Sequence, residues 1–138
     1  MRPELVFVPA AALALWTCLI LFFLGAKRVG AVRARRVRAG DFRTGDSAAV
    51  PADLVLINRN LMNLLEMPVL FYAVCTAFYV THLVVPAIVW LAALFTLLRV
   101  VHSFVQIGTA WIGRRLMVFA LSNLLLVALW LWFLARLL

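Results

Sequence analysis

Four apolar stretches, each long enough to cross a lipid bilayer as an α-helix, dominate the sequence. They cover residues 5–24, 54–80, 86–107 and 116–135. The hydrocarbon core of a bilayer is about 30 Å thick, and about 20 helical residues span it. Because 67% of the 138 residues are hydrophobic and only 13% are charged, the composition excludes an ordinary soluble protein. The sequence predicts an all-α integral membrane protein, a single domain built as a four-transmembrane-helix bundle.

The basic residues indicate how these spans are oriented. Seven of the thirteen lie between Lys27 and Arg43, after the first span, and Arg114 and Arg115 follow the third span. Lys and Arg collect in cytoplasmic loops, so both segments are predicted to lie inside and both termini outside. The seven are accompanied by one aromatic residue, Phe42. This pattern favours contact with anionic lipid headgroups and predicts no nucleic-acid partner.

Local signals define the connections. Residues 25–51 are predicted to form a long loop, broken by Gly40 and Gly45, and Asp53 is a candidate N-cap for the second helix. Pro68 predicts a kink in that helix. Residues 81–86 contain no Lys or Arg and read as a short outer turn, whereas residues 108–115 read as a short inner connection.

Cysteine and histidine usage argues against a metal centre. Cys18 and Cys75 lie in apolar runs without metal-ligand spacing, and His82 lies in the predicted outer turn. We therefore expect no bound metal and no haem held by two histidines of one subunit.

Polar residues interrupt the second and third spans at helical spacing. Arg59, Asn63 and Glu66 share one face of the second span at i, i+4 and i+7. The third span carries a similar stripe at i, i+3 and i+7, formed by Arg99, His102 and Gln106.

A charge held inside a bilayer costs about 3 kcal/mol, so Glu66 is expected to face protein and to have a partner. Arg99 is the predicted partner, and the two stripes then form one cytoplasm-facing cluster. Two interpretations stay open: a buried ion pair that only fixes helix register, and a ligand site.

Three motifs follow one another along the chain: Arg59-x3-Asn63-x2-Glu66 with a proline after it, Arg99-x2-His102, and Arg115 with Phe119. In order and spacing the chain resembles the membrane-associated proteins in eicosanoid and glutathione metabolism, a family that includes microsomal glutathione transferases and prostaglandin E and leukotriene synthases. The amino-acid sequence of residues 63–72, NLLEMPVLFY, is similar to that of bacterial members of the family. This similarity implies that the protein is located in a bacterial inner membrane.

The resemblance implies a homotrimer that holds glutathione between neighbouring subunits near the cytoplasmic side. It implies glutathione-binding roles for a set of six residues and a catalytic role, beside the sulfur, for Arg115. The binding set comprises Arg59, Asn63, Glu66, Arg99, His102 and Gln106. The charges fit, because arginines suit the two carboxylates of glutathione and Glu66 suits its ammonium.

The chain departs from the family pattern at three points. Gln106 replaces a tyrosine, Met67 stands where tyrosine sometimes follows the glutamate, and the glutamate-to-proline spacing is shorter than in the mammalian enzymes. The loop arginine that the family uses corresponds equally well to three residues, Arg28, Arg33 and Arg36.

Three functions remain compatible with the sequence. The first is a glutathione-dependent transferase or peroxidase acting on lipophilic electrophiles in the membrane. The second is a non-catalytic binding or accessory subunit of a larger membrane complex, which Gln106 favours. The third is a small drug exporter with Glu66 as its proton-coupling carboxylate, which the neighbouring arginines disfavour.

The predicted topology can be tested by cysteine accessibility. A cysteine placed at Ser47 should react with a membrane-impermeant reagent only after the cells are opened, because loop one is predicted to lie inside. Labelling of that cysteine in intact cells would contradict the arrangement.

Overall fold

The computed structural model of the protein describes residues 2–44, 48–108 and 111–138. Four long α-helices account for most of them: α1 (Phe7–Arg33), α2 (Ala52–Val80), α3 (Pro86–Gly108) and α4 (Ile112–Leu137). Short 3₁₀ helices precede α1 at Pro3–Val6 and follow it at Ala39–Thr44; the second is called the loop helix below. All four long helices are apolar and long enough to cross a membrane. With no strand among the described residues, they confirm the predicted all-α, four-helix architecture.

The helices alternate in direction, so that one end of the bundle collects the amino terminus of α1 with the carboxyl termini of α2 and α4. Phe7 packs edge-on against Tyr79, with ring centroids 4.9 Å apart, and Phe78 packs against Phe133 at 5.1 Å. The basic loop after α1 and the α3–α4 connection lie at the other end. This arrangement agrees with the charge-based prediction that both belong to one side of the membrane.

Aromatic and aliphatic side chains fill the centre of the bundle. The fully buried rings of Phe71 and Phe95 stack at 4.4 Å and join α2 to α3. Two inward-facing polar groups join α1 to α3: Trp16 Nε1 donates to Ser103 Oγ at 3.0 Å, and Thr96 Oγ1 donates to the Pro9 carbonyl at 2.9 Å. Large apolar side chains such as Phe22 remain exposed on the outside, as expected where lipid replaces water.

Three expectations about helix ends were wrong. α1 continues to Arg33, beyond Gly25, because the alanine, lysine and arginine residues of this segment are strong helix formers that offset the cost of Gly25 and Gly30, about 1 kcal/mol each. The residue at the N-cap position of α2 is Pro51, and Asp53 lies in the first turn. α4 begins at Ile112 and therefore includes the basic pair that was assigned to the connection.

The Gly40 prediction also needs correction, because this residue lies within the loop helix, not at a break. α2 runs without interruption through Pro68. Gly45 and Ser47, which were named as a helix breaker and a labelling position, lie outside the described residues.

A left-handed residue closes each of the first two helices. At the end of α2, His82 has φ of 57°, and the Leu83 N–H donates to the Phe78 carbonyl at 3.0 Å. At the end of α1, Arg35 has φ of 56°, and the Arg36 N–H donates to the Ala31 carbonyl at 2.9 Å. Both are Schellman closures, which normally use glycine because a side chain at positive φ is strained.

We expect His82→Gly to stabilise the protein by about 1 kcal/mol, because glycine adopts this backbone conformation without a clash. Thermal unfolding in detergent would measure the gain. His82→Ala is the matched control, since it removes the imidazole but keeps the Cβ atom and should give no gain. Equal effects of the two substitutions would show that the imidazole, not the backbone, is responsible.

Candidate functional site

A cavity of about 290 Å³ opens between α2, α3 and α4. Its polar lining comes from four of the residues that the sequence singled out: Asn63, His102, Gln106 and Arg115. Ile112, Leu116 and Phe119 form its apolar wall. The structure thus brings residues from three helices together, which no local pattern could establish.

The stripe on α3 faces the inside of the bundle. Arg99, His102 and Gln106 are 0%, 3% and 1% exposed, and Ser103 between them is also buried, so this eight-residue segment buries a cation and three further polar side chains. The His102 ring lies 5.6 Å from the ring of Phe119 on α4. Such burial is expensive unless the polar atoms find partners.

Arg99 is only partly satisfied. Its guanidinium lies between two aromatic rings, 5.4 Å from the centroid of Phe95 and 5.5 Å from that of Phe119. Nη2 donates to Asn123 Oδ1 at 2.8 Å, whereas Nε and Nη1 are buried without a hydrogen-bond partner among the described residues. A buried guanidinium that is held by a neutral amide, and that has two donor nitrogens without partners among the described residues, is suited to an anionic ligand.

The predicted ion pair between Glu66 and Arg99 was wrong for a single chain. Glu66 is exposed, and the only salt bridge between described residues joins Arg36 to Asp53 at 3.1 Å. The reason is the rotation of α2 about its axis. Leu64, buried against the core, precedes Glu66 by two residues, which is about 200° around a helix.

The α2 stripe is therefore divided. Asn63 lines the cavity, while Arg59 and Glu66 lie on the outer face of α2. The exposed side chains around them are apolar and include Met62, Leu65 and Val69.

Asn60 is a buried polar residue near the site that was not predicted from the sequence. This side chain is 0% exposed, and neither its Oδ1 nor its Nδ2 has a hydrogen-bond partner among the described residues. Both ring nitrogens of His102 and Nε2 of Gln106 are likewise buried without a hydrogen-bond partner among the described residues. One signal was available: Asn60 precedes Leu64 by four residues and so belongs to the buried face of α2.

The three candidate loop arginines have different surroundings. Arg36 pairs with Asp53, and Arg33 is exposed. Arg28 is half-buried, and its Nη2 donates at 3.0 Å to Oδ1 of Asn58, the residue before Arg59. Of the three, Arg28 is thus fixed to the segment that begins the α2 motif.

A second, apolar cavity of about 380 Å³ lies on the same α2–α4 seam, nearer the other end of the bundle. Asn123, the partner of Arg99, supplies its polar group. The other lining residues are Met67, Leu70, Leu126, Val127, Trp130 and Leu131. Asn123 thus contacts both the buried guanidinium of Arg99 and the apolar cavity.

The contact between Arg99 and Asn123 predicts coupled stability effects. Asn123→Leu should destabilise the protein by about 1.5 to 3 kcal/mol, because it leaves a buried cation without its hydrogen bond. The double variant Asn123→Leu, Arg99→Leu should lose less free energy of unfolding than the sum of the losses in the two single variants. Equilibrium unfolding in detergent would measure the cycle, with Leu124→Ala, an exposed neighbour, as control. Strict additivity would show that the two side chains do not interact.

Comparison with known proteins identifies the family. The sequence model of the MAPEG family matches residues 6–135, which covers all four helices. No curated protein and no solved structure matches the chain. The family and the four apolar helices together make the chain an integral, multi-pass membrane protein. It belongs to the MAPEG family.

Proposed function

We propose that the protein is a glutathione-dependent transferase or peroxidase that acts on lipophilic electrophiles within the membrane. The observation that carries the proposal is the cavity lined by Asn63, His102, Gln106 and Arg115, with the unsatisfied guanidinium of Arg99 nearby. None of the described lining residues is acidic, so the cavity favours an anion. When bound there, glutathione supplies a nucleophilic thiol.

The residues present fit such a ligand. Glutathione carries two carboxylates, and the unpartnered donors of Arg99, together with Arg59, suit them. Asn63, His102 and Gln106 offer further hydrogen bonds, and polar atoms of the last two lack partners among the described residues. In this proposal Arg28 is the contributing loop arginine, because its bond to Asn58 holds it beside the α2 motif.

We assign the thiol end of the ligand to Arg115. This side chain lies in the first turn of α4, is half-buried and lines the cavity. A guanidinium beside a thiol stabilises the thiolate, which is the reactive form. The apolar cavity between α2 and α4 would accept the lipophilic substrate, since it lies on the same seam and opens among hydrophobic side chains.

The proposed assembly is a homotrimer with the site completed at the subunit interface. Glu66 supports it: a carboxylate on the outer face of a membrane helix costs about 3 kcal/mol if it faces lipid. A second copy packed against this face would cover Glu66 and Arg59 together. Glu66 would then be available to the ammonium of the ligand.

The second candidate is a non-catalytic binding or accessory subunit of a larger membrane complex. It is favoured by Gln106, which stands where related enzymes have a tyrosine and is 1% exposed. An amide presents a different hydrogen-bonding geometry from a phenol. Calorimetry of glutathione with the detergent-solubilised protein separates the two candidates, because absence of binding would favour the accessory role.

Replacing Arg115 should separate thiol activation from binding. A thiol with a pKa of about 8.5 is only a few per cent ionised at neutral pH, and lowering that pKa by roughly two units requires about 2.7 kcal/mol. Arg115→Ala should therefore abolish most of the ultraviolet thiolate absorbance of the glutathione complex while sparing much of the binding. Arg115→Lys should retain part of the absorbance.

Arg114→Ala is the matched control. Arg114 is exposed, and its guanidinium lies 4.9 Å from the centroid of the Trp111 ring, so its loss should leave the absorbance nearly unchanged. Wild-type protein that binds glutathione without any thiolate signal would overturn the enzyme proposal. Equal losses in the Arg114 and Arg115 variants would overturn the role of Arg115.

A further inference from the structure

A cleft of about 420 Å³ lies where α1 emerges from the bundle, separate from both cavities between α2 and α4. One wall is the last two turns of α1 and the other is the loop helix Ala39–Thr44. Two arginines and four apolar residues line it: Arg28, Arg33, Val29, Val32, Ala39 and Phe42. The cleft combines positive charge with an apolar surface.

Arg28 is held in position but keeps its positive charge. Its guanidinium lies 5.2 Å from the centroid of the Phe42 ring and donates to the neutral amide of Asn58. Its Nε is buried without a hydrogen-bond partner among the described residues. Neither contact supplies a negative charge.

The nearby carboxylates are engaged elsewhere. Asp53 pairs with Arg36 at 3.1 Å, and Asp41 accepts the backbone N–H of Arg38 at 2.9 Å. No acidic residue is among the described residues that line the cleft. The cleft is therefore complementary to an anion.

Along α1, the cleft begins within the headgroup layer at Arg28 and extends beyond it at Arg33. The charge-free stretch of α1 ends at Leu24, and at about 1.5 Å per residue Arg28 lies about 6 Å beyond it and Arg33 about 13 Å beyond it. Headgroups occupy about 5 to 7 Å on each side of the hydrocarbon core. Val29, 52% exposed, projects at this level.

We propose that this cleft binds one anionic phospholipid of the leaflet that faces the basic loop. Arg28 and Arg33 hold the phosphodiester by charge-assisted hydrogen bonds, and the glycerol end of the acyl chains lies on Val29, Val32 and Phe42. The bound lipid would tie the loop helix to α1 and so fix the basic loop against the membrane surface. The cleft shares Arg28 with the proposed glutathione site, whereas Arg33 and the apolar lining residues belong to the cleft alone.

Native mass spectrometry can count the lipid. Protein released from nanodiscs of mixed phosphatidylglycerol and phosphatidylcholine should retain phosphatidylglycerol preferentially, saturating at one molecule per chain. Arg33→Gln should lower that retention about tenfold, the effect of losing one charge-assisted hydrogen bond. Arg33 is chosen because Arg28 also belongs to the proposed glutathione site.

Arg43→Gln is the matched control. Arg43 is an exposed arginine of the loop helix outside the cleft lining, so the substitution changes the net charge equally but should leave retention close to wild type. Both variants should unfold at the wild-type temperature in detergent without phosphatidylglycerol, since both side chains are exposed. Equal loss of lipid in both variants, or equal retention of the two phospholipids by wild type, would overturn the site.

Discussion

A guanidinium with no exposed surface inside a membrane bundle is the constraint on which the rest of this structure depends. Lipid offers Arg99 neither water nor counterions, so its donors must be satisfied by protein or ligand. Phe95 and Phe119 contact its faces and Asn123 accepts one hydrogen bond, while two donors stay unpartnered among the described residues. These unpartnered donors are the feature on which the proposed anion site rests.

The need to satisfy Arg99 also explains which residues each helix contributes to the site. α3 carries the buried stripe, and α4 supplies Asn123 and Phe119 to Arg99 and Arg115 to the cavity. α2 presents Asn63 inward but Glu66 outward, so one chain by itself leaves a carboxylate on an apolar surface. A carboxylate that faces lipid carries a substantial cost, which the neighbouring subunit of the proposed homotrimer would remove by covering it.

At the end of the bundle that carries the basic loop, the charged residues are in a different environment from Arg99. There the charges lie beyond the hydrocarbon core, and two acidic residues order the loop: Asp41 accepts the Arg38 N–H three residues away, and Asp53 in the first turn of α2 pairs with Arg36. Arg28 is tied to the segment that begins the α2 motif through its hydrogen bond to Asn58. The proposed ligand site and the proposed lipid site share this one side chain.

The sequence by itself determined the number of spans, their approximate limits and the two polar stripes, because apolar length and helical period are local properties. Tertiary structure decided which stripe residues meet. The packing of Leu64 and Phe71 sets the rotation of α2, so Arg99 bonds to Asn123 and not to Glu66. The same rotation buries Asn60, which lies in the sequence among the polar residues Asn58, Arg59 and Asn63. Such rotations depend on contacts between residues far apart in the chain, and no local pattern encodes them.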